Sequence, residues 1–357
     1  MSEKFPQLKV AAVQASPVFL DKDQSTSKAC KLIRDAGSNG AKVIVFPEGF
    51  IPTHPVWYHF HAGTGSIATK LSMELFKNSV TIPGPEVNEL CKAARDAKAY
   101  VVMGVCEKLS NTIGTMYNTQ IFIGPDGRYL GKHQKIMPTV GERFVHKGGY
   151  GDTLKVFNTE SGPISGLMCS ENSNPLAIMA LTAEGTRIHA MAWPNHWGTL
   201  SRPMREYVKI ASLNFAQVSK AFVISACSTV DERMIEMMQL TSEQEQFIRD
   251  PVISGGSMIV APDSQIIAGP MGDEEGILYA DIDLQECVKH KLHHDFSGHY
   301  NREDILQLYI NRDAPKLYNE YFGKSDTKKD FVCSDSDDDK NCCEQEINVN
   351  DNQLDNC

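Results

Sequence analysis

The stretch Ile164-Ser165-Gly166-Leu167-Met168-Cys169-Ser170-Glu171-Asn172-Ser173-Asn174-Pro175-Leu176 holds a strand, a short connection and a helix start. The apolar run Ile164 to Met168 predicts a short buried strand. Asn174 followed by Pro175 reads as a helix N-cap and first helical residue, leading into Leu176-Ala177-Ile178-Met179-Ala180-Leu181. Strand feeding helix is the repeating unit of a layered α/β fold. Cys169 sits at the join. A thiol there lies near a helix N-terminus, whose dipole favours thiolate, and thiolate is the nucleophile. A small buried core residue is the other reading, and it describes most free cysteines.

Two more polar residues stand at strand ends. Val43-Ile44-Val45-Phe46 is a continuous apolar run of the kind that makes a fully buried strand. Pro47 and then Glu48 follow it. A carboxylate in that place is costly unless it is paired or used, or unless it lies on a wet rim. Tyr117 to Ile123 has a strand pattern, Gly124-Pro125-Asp126-Gly127 is a turn signal, and Arg128 to Lys135 reads as the hairpin partner. Lys135 ends that hairpin. Alone, it is a solvated surface charge.

The three together, in this order and spacing, resemble the nitrilase superfamily of carbon–nitrogen hydrolases. The resemblance rests on Phe46-Pro47-Glu48, Gly131-Lys132-His133-Gln134-Lys135, Pro138-Thr139-Val140-Gly141-Glu142-Arg143 and Gly166-Leu167-Met168-Cys169-Ser170-Glu171-Asn172. It runs from Val10-Ala11-Ala12-Val13-Gln14 to His299-Tyr300-Asn301-Arg302-Glu303-Asp304. The chain is most similar to the true nitrilase branch, whose Cys-X-Glu signature usually carries Trp at X; here X is Ser170. The resemblance implies a four-layer αββα sandwich with Glu48 as base, Lys135 as stabiliser of negative charge and Cys169 as nucleophile. It implies a second glutamate, Glu142, that holds Lys135; a plain ion pair to Arg143 or Arg128 is the alternative. It also implies a nitrile or amide substrate, no metal or organic cofactor, and self-association into dimers or spirals.

Composition fits that expectation. The 357 residues are 41% hydrophobic and 22% charged, ordinary globular values. No apolar stretch has the length of a membrane span, and the first residues carry no signal-like apolar core. Of ten cysteines, Cys30, Cys91, Cys106, Cys169, Cys227 and Cys287 are scattered through apolar, helical or strand contexts and read as reduced thiols of a cytoplasmic protein. The formal charge of −10 argues against nucleic acid as partner. Residues 323–357 hold ten acidic and four basic side chains, net −6, with four of the cysteines. They predict a disordered, Cys-containing tail after a single hydrolase domain, 1–322.

The body predicts alternating elements: strands at 8–14, 43–46, 100–105, 187–192, 221–226 and 277–282, and helices at 26–36, 86–97, 202–217 and 284–291. A hairpin is expected over 256–268. Pro52 to His61 follows the Glu48 strand and is rich in aromatics, so Trp57 and Tyr58 are candidate pocket walls. Trp193 and Pro194 are candidates for the opposite wall, and Ser170 for substrate preference; core packing is the alternative for each aromatic cluster. The closely spaced His54, His59 and His61 lack a completing ligand nearby and are not read as a metal site. The cluster from His290 to His299 is expected near a subunit interface.

Overall fold

The computed structural model describes residues 4–194 and 203–316. The 323–357 tail expected from sequence lies outside them. Among the described residues the chain opens with β1 (Gln7–Gln14), α1 (Lys22–Ser38) and β2 (Ala41–Val45). Then come α2 (Ser66–Asn78), α3 (Pro85–Ala97), β3 (Tyr100–Lys108), β4 (Met116–Ile123) and β5 (Tyr129–Gln134). The second half has β6 (Ile164–Met168), α4 (Pro175–Ala183), β7 (Ile188–Trp193), α5 (Met204–Ser219) and β8 (Phe222–Cys227). It closes with α6 (Glu232–Met238), α7 (Ser242–Ile248), β9 (Met258–Val260), β10 (Ile266–Ala268), β11 (Gly276–Asp283) and α8 (Gln285–Lys291).

Two mixed sheets form, in the orders β11-β1-β2-β3-β4-β5 and β10-β9-β8-β7-β6. The β1-β2-β3 and β6-β7-β8 runs are parallel; the outer strands pair antiparallel. Strand parity explains the layering, because successive side chains point to opposite faces. On β1, Val10 and Ala12 face an apolar layer shared with Ile188, Ala190 and Ile224 of the second sheet. Ala11 and Val13 face outward and pack with Ala29 and Ile33 of α1 and Leu90 of α3. On the far side, Leu167, Met191 and Val223 pack against Ile178 of α4 and Phe215 of α5. The result is the αββα sandwich.

The predicted elements are present, with shifts at their ends. α1 starts at Lys22 because Asp21 caps it, accepting from Gln24 N at 3.0 Å. Asn174 caps α4 as expected, accepting from Leu176 N at 3.0 Å. α2, α6 and α7 were not predicted; α6 and α7 carry Asp231 and Thr241 as caps. α2 begins after Gly65 with no side-chain cap, so the local sequence carries no start signal.

Candidate active site

The three junction residues converge at one end of the sandwich, where both sheets end. Glu48 follows β2, and its N–H donates to Trp193 O at the end of β7, 3.3 Å away. Gly104 on β3 makes room for this strand end: a Cβ there would stand 2.1 Å from Pro47 O. Lys135 is the first residue past β5, and its N–H donates to Asn118 O at 2.8 Å. Cys169 is the first residue past β6.

Lys135 is fully buried, and its Nζ lies 2.7 Å from Glu48 Oε1 and 2.5 Å from Glu142 Oε2. Glu142 therefore pairs with Lys135. Arg143 instead gives its Nε to Pro138 O, and Arg128 pairs with Asp126. Glu142 is held further by Thr139 N at 2.8 Å and by His146 Nδ1 at 3.4 Å. The Asn118 amide on β4 donates to both carboxylates, 2.6 Å to Glu48 Oε1 and 2.8 Å to Glu142 Oε1.

Sharing one cation splits the two acids. Burial and the neighbouring Glu142 charge push Glu48 up to about 7, against the pull of Lys135 and Asn118. Burial also works against the Glu142 charge, but Lys135 and His146 outweigh it and hold this carboxyl well below its usual range. Burial likewise opposes charge on Lys135; Glu142 and Glu48 overcome it and keep the ammonium well above its ordinary value. Glu142 is thus the fixed anion and Glu48 the group poised to take a proton. Glu48 Oε2, buried and without a hydrogen bond, is the open lone pair of the set.

The thiol differs from the expectation. Cys169 opens a one-turn 3₁₀ segment, Cys169–Ser173, and α4 begins only after Asn174. The rest of the 3₁₀ turn and Asn174 thus separate Cys169 from the start of α4 along the chain. Burial and the Glu48 charge push the thiol up to about 12, despite Lys135 and Ser170. It rests as S–H, so a base must remove the proton during attack. Cys169 has φ of +50°, a left-handed conformation costly for any residue with a side chain, and of a kind that clusters at functional sites. Asn172 Nδ2 braces that turn by donating to Cys169 O at 3.0 Å.

A narrow slot opens onto the sulfur, lined among the described residues by His54, Pro55, Tyr58, His59, Thr139, Gly141, Glu142, Cys169 and Pro194. Tyr58 and Pro194 are both among these lining residues. Ser170 Oγ lies 3.7 Å from Cys169 Sγ. Trp57 is not a wall. Its ring is fully buried in a core cluster, edge-on to Phe19 at 6.2 Å, because the 56–59 turn points it away from the slot-lining Tyr58. The Trp193 ring packs in the core with α5, and its carbonyl is what meets Glu48. His54, His59, Asn118 and Glu171 were missed by sequence reasoning. Burial lowers His54 to about 3 and lowers His59 too, so both stand as neutral imidazoles on the slot.

Glu48, His54 and Glu142 place ligand-type atoms within 4.8 Å of one another. The Lys135 ammonium already takes the cation position between the two carboxylates, so this donor set does not fit a resident metal.

Asn118→Leu tests the shared amide. Removing a donor that lowers Glu48 shifts the acidic limb of the pH–rate profile upward, and kcat is expected to fall about 10²-fold, as for other lost preorganised donors. A profile measured from pH 5 to 9 that keeps its limb in place contradicts this role.

Cys169, Glu48 and the Lys135 ammonium thus lie buried together at the ends of an αββα sandwich. The family model for carbon–nitrogen hydrolases matches residues 9–291. A nitrilase from a Bacillus strain is 37% identical over 316 residues, covering 87% of this chain and 90% of that protein. Nitrilase 1 of Arabidopsis thaliana is 35% identical, covering 87% and 88%. An arylacetonitrilase of Aspergillus kawachii is 34% identical, covering 85% and 91%. Among solved structures, Nit3 of Saccharomyces cerevisiae superposes with a TM-score of 0.61 at 21% identity, covering 82% of this chain and 96% of that one. An amidase from Nesterenkonia gives 0.58 at 17%, covering 82% and 97%. The chain belongs to the nitrilase superfamily of carbon–nitrogen hydrolases.

Proposed function

We propose that the protein is a nitrilase that hydrolyses a small aliphatic or arylaliphatic nitrile to the carboxylic acid and ammonia. The observation that carries this reading is the Lys135 ammonium fixed between Glu48 and Glu142 beside Cys169. Identity of 34–37% to nitrilases over most of the chain supports it.

Glu48 takes the proton of Cys169 as sulfur attacks the nitrile carbon. The new S–C bond converts C≡N into a thioimidate; Glu48 hands the thiol proton on to its nitrogen and is a carboxylate again, while the Lys135 ammonium stabilises the negative charge that develops there. Glu48 then removes a proton from water as it adds. Glu48 passes that proton, and then the hydroxyl proton of the adduct, to nitrogen; the C–N bond breaks, ammonia leaves, and a thioester remains with Glu48 a carboxylate again. A second water, activated in the same way, releases the acid and returns the thiol. Glu142 stays ionised throughout and keeps Lys135 charged.

Glu48 must be a carboxylate to act as base. With its pKa raised to about 7, kcat/KM is expected to rise with pH and reach half its plateau near pH 7. Initial rates of ammonia release between pH 5 and 9 check this. A plateau already reached at pH 5 would mean that Glu48 is not the titrating base.

An amidase on the same scaffold is the second reading, because the same groups open an amide; the likeness to the Nesterenkonia amidase favours keeping it. Ammonia release is measured from each nitrile and from its matching amide, with product identified. Acid and ammonia from nitriles support the nitrilase reading. Turnover confined to amides replaces it with the amidase. Amide accumulating from a nitrile marks a hydratase.

We also infer self-association. Exposed Leu176 of α4, with Tyr300, Leu306 and Tyr309 beyond α8, lines an apolar groove suited to a second copy. Six free cysteines among the described residues suit the reducing cytoplasm. No described helix is long and apolar enough to cross a membrane.

A further inference from the structure

Lys135 and Cys169 come from different sheets. β5, which leads to Lys135, is one edge of the first sheet, and β6, which leads to Cys169, is one edge of the second. Between the sheets lies an apolar layer. Apolar burial is non-directional, so it holds the sheets together without fixing how far one strand end is advanced past the other. Directional bonds at the rim must set that offset.

The Glu48 N–H to Trp193 O bond and a Gln120 Nε2 bond to Ala190 O tie the sheets elsewhere; at the β5 and β6 ends that carry Lys135 and Cys169, Glu171 supplies the bonds. Its side chain is buried, and its Oε1 accepts from Ile136 N at 2.6 Å, the peptide N–H next to Lys135. Its Oε2 accepts from Met168 N at 3.2 Å, the residue before Cys169. His133 Nε2, on β5, reaches the same oxygen at 3.2 Å. One carboxylate therefore bonds to the backbone neighbours of the ammonium and of the nucleophile, across the two sheets.

We propose that Glu171 is a positioning residue that sets the Lys135–Cys169 offset. It touches neither the slot nor the Lys135 ammonium. Its effect on turnover passes through geometry alone. The proposal rests on the catalytic reading of Cys169 and Lys135.

Glu171→Gln keeps the shape but turns one acceptor into an NH₂ that faces a backbone N–H, so one of the two ties breaks. Glu171→Asp keeps the charge but falls a methylene short. Both variants are compared with wild type for kcat and KM on a nitrile that wild type hydrolyses. Alkylation of Cys169 by iodoacetamide is followed by intact mass from pH 6 to 9, and thermal melts are recorded. This thiol readout needs no substrate, so the proposal and the nitrilase reading can fail separately.

Both variants are expected to lose roughly 10- to 100-fold in kcat, the scale of a misplacement of about 1 Å. KM is expected to stay within about threefold. Cys169 alkylation should slow in both, its pH dependence moving upward as Lys135 acts less well on the thiol. Wild-type kcat in Glu171→Asp would show that charge suffices and would overturn the proposal. So would a raised KM at unchanged kcat, which marks a substrate contact, or unchanged alkylation in both variants. Should neither variant fold, His133→Phe decides, because it leaves both backbone ties intact. Wild-type kcat there supports the proposal, and a loss of tenfold or more overturns it.

Discussion

Lys135→Met is expected to abolish turnover and to destabilise the protein most at alkaline pH. The variant fills the same space with an apolar chain and leaves Glu48 and Glu142 sharing only the Asn118 amide. Two buried carboxylates this close cannot both stay ionised, so one takes a proton. Glu48 is that one, because Glu142 keeps Thr139 N and His146. Glu48 already stands near 7 with Lys135 present, and without it the value rises further. At neutral pH the base is then protonated, and the donor for the developing negative charge is gone as well. The donor alone accounts for about 10²–10³ in kcat, and losing both functions exceeds that.

Stability follows with a definite sign. A carboxyl whose folded value lies above its unfolded one contributes stability at low pH, below the unfolded value of 4.5. That contribution is lost as pH rises through the folded value. Breaking a buried pair by removing one partner costs about 3–5 kcal/mol. The Lys135→Met melting point should therefore fall by on the order of 10 °C at pH 8, and by clearly less at pH 5. The double variant Lys135→Met/Glu142→Gln removes the repulsion; it should recover most of the pH 8 loss and none of the activity. Thermal melts at pH 5, 6.5 and 8 with parallel ammonia assays check both halves. An equal loss at every pH would show that packing, not charge, holds the lysine.

The elements that carry the site were readable because each is a local pattern. β6 is a short stretch with apolar ends, Ile164 and Leu167-Met168, Asn174-Pro175 is a capping signal, and the Gly124–Gly127 turn joins two strands in register, Thr119 opposite Gln134. Parity then assigns the faces of β1 without further information. The partners that make Glu48, Lys135 and Cys169 into a site are not local. Asn118 sits in a strand of otherwise unremarkable pattern, and only the fold sets it between two acids. The one signal for it was a polar residue in a strand buried on both faces. Trp57 and Tyr58 are adjacent, yet one goes to the core and the other to the slot. Phe19, the ring that claims Trp57, is 38 positions earlier in the chain. The thiol misled for the same reason. A helix start nearby in sequence suggested an activating dipole, whereas burial dominates and pushes the thiol up.

Cys169→Ala is expected to lose all measurable turnover while folding normally, and the two outcomes together separate chemistry from scaffold. Removing the nucleophile of a hydrolase that works through a covalent intermediate typically costs on the order of 10⁶-fold in kcat. Cys106, which is also fully buried, does not line the slot: it lies against Thr53 O and His146, with its thiol pushed well up by burial. The fold has little to lose. Among the described residues the sulfur has one weak hydrogen-bond partner, Ser170 Oγ at 3.7 Å, and the turn is held by Asn172 through the backbone carbonyl. The backbone strain at φ of +50° is the same for alanine as for cysteine, so the melting point should move by only a few degrees. Intact mass after incubation with a nitrile should show an adduct on wild type and none on the variant. A loss of activity together with a collapsed melt would instead make Cys169 a core residue, the other reading that the sequence left open. Cys169→Gly extends the argument: glycine adopts the left-handed conformation freely, so its turn should be no less stable than that of the alanine variant. If glycine melts well below alanine, the conformation at this position is not under strain, and the elbow that presents the sulfur to the slot is set by something other than the local backbone.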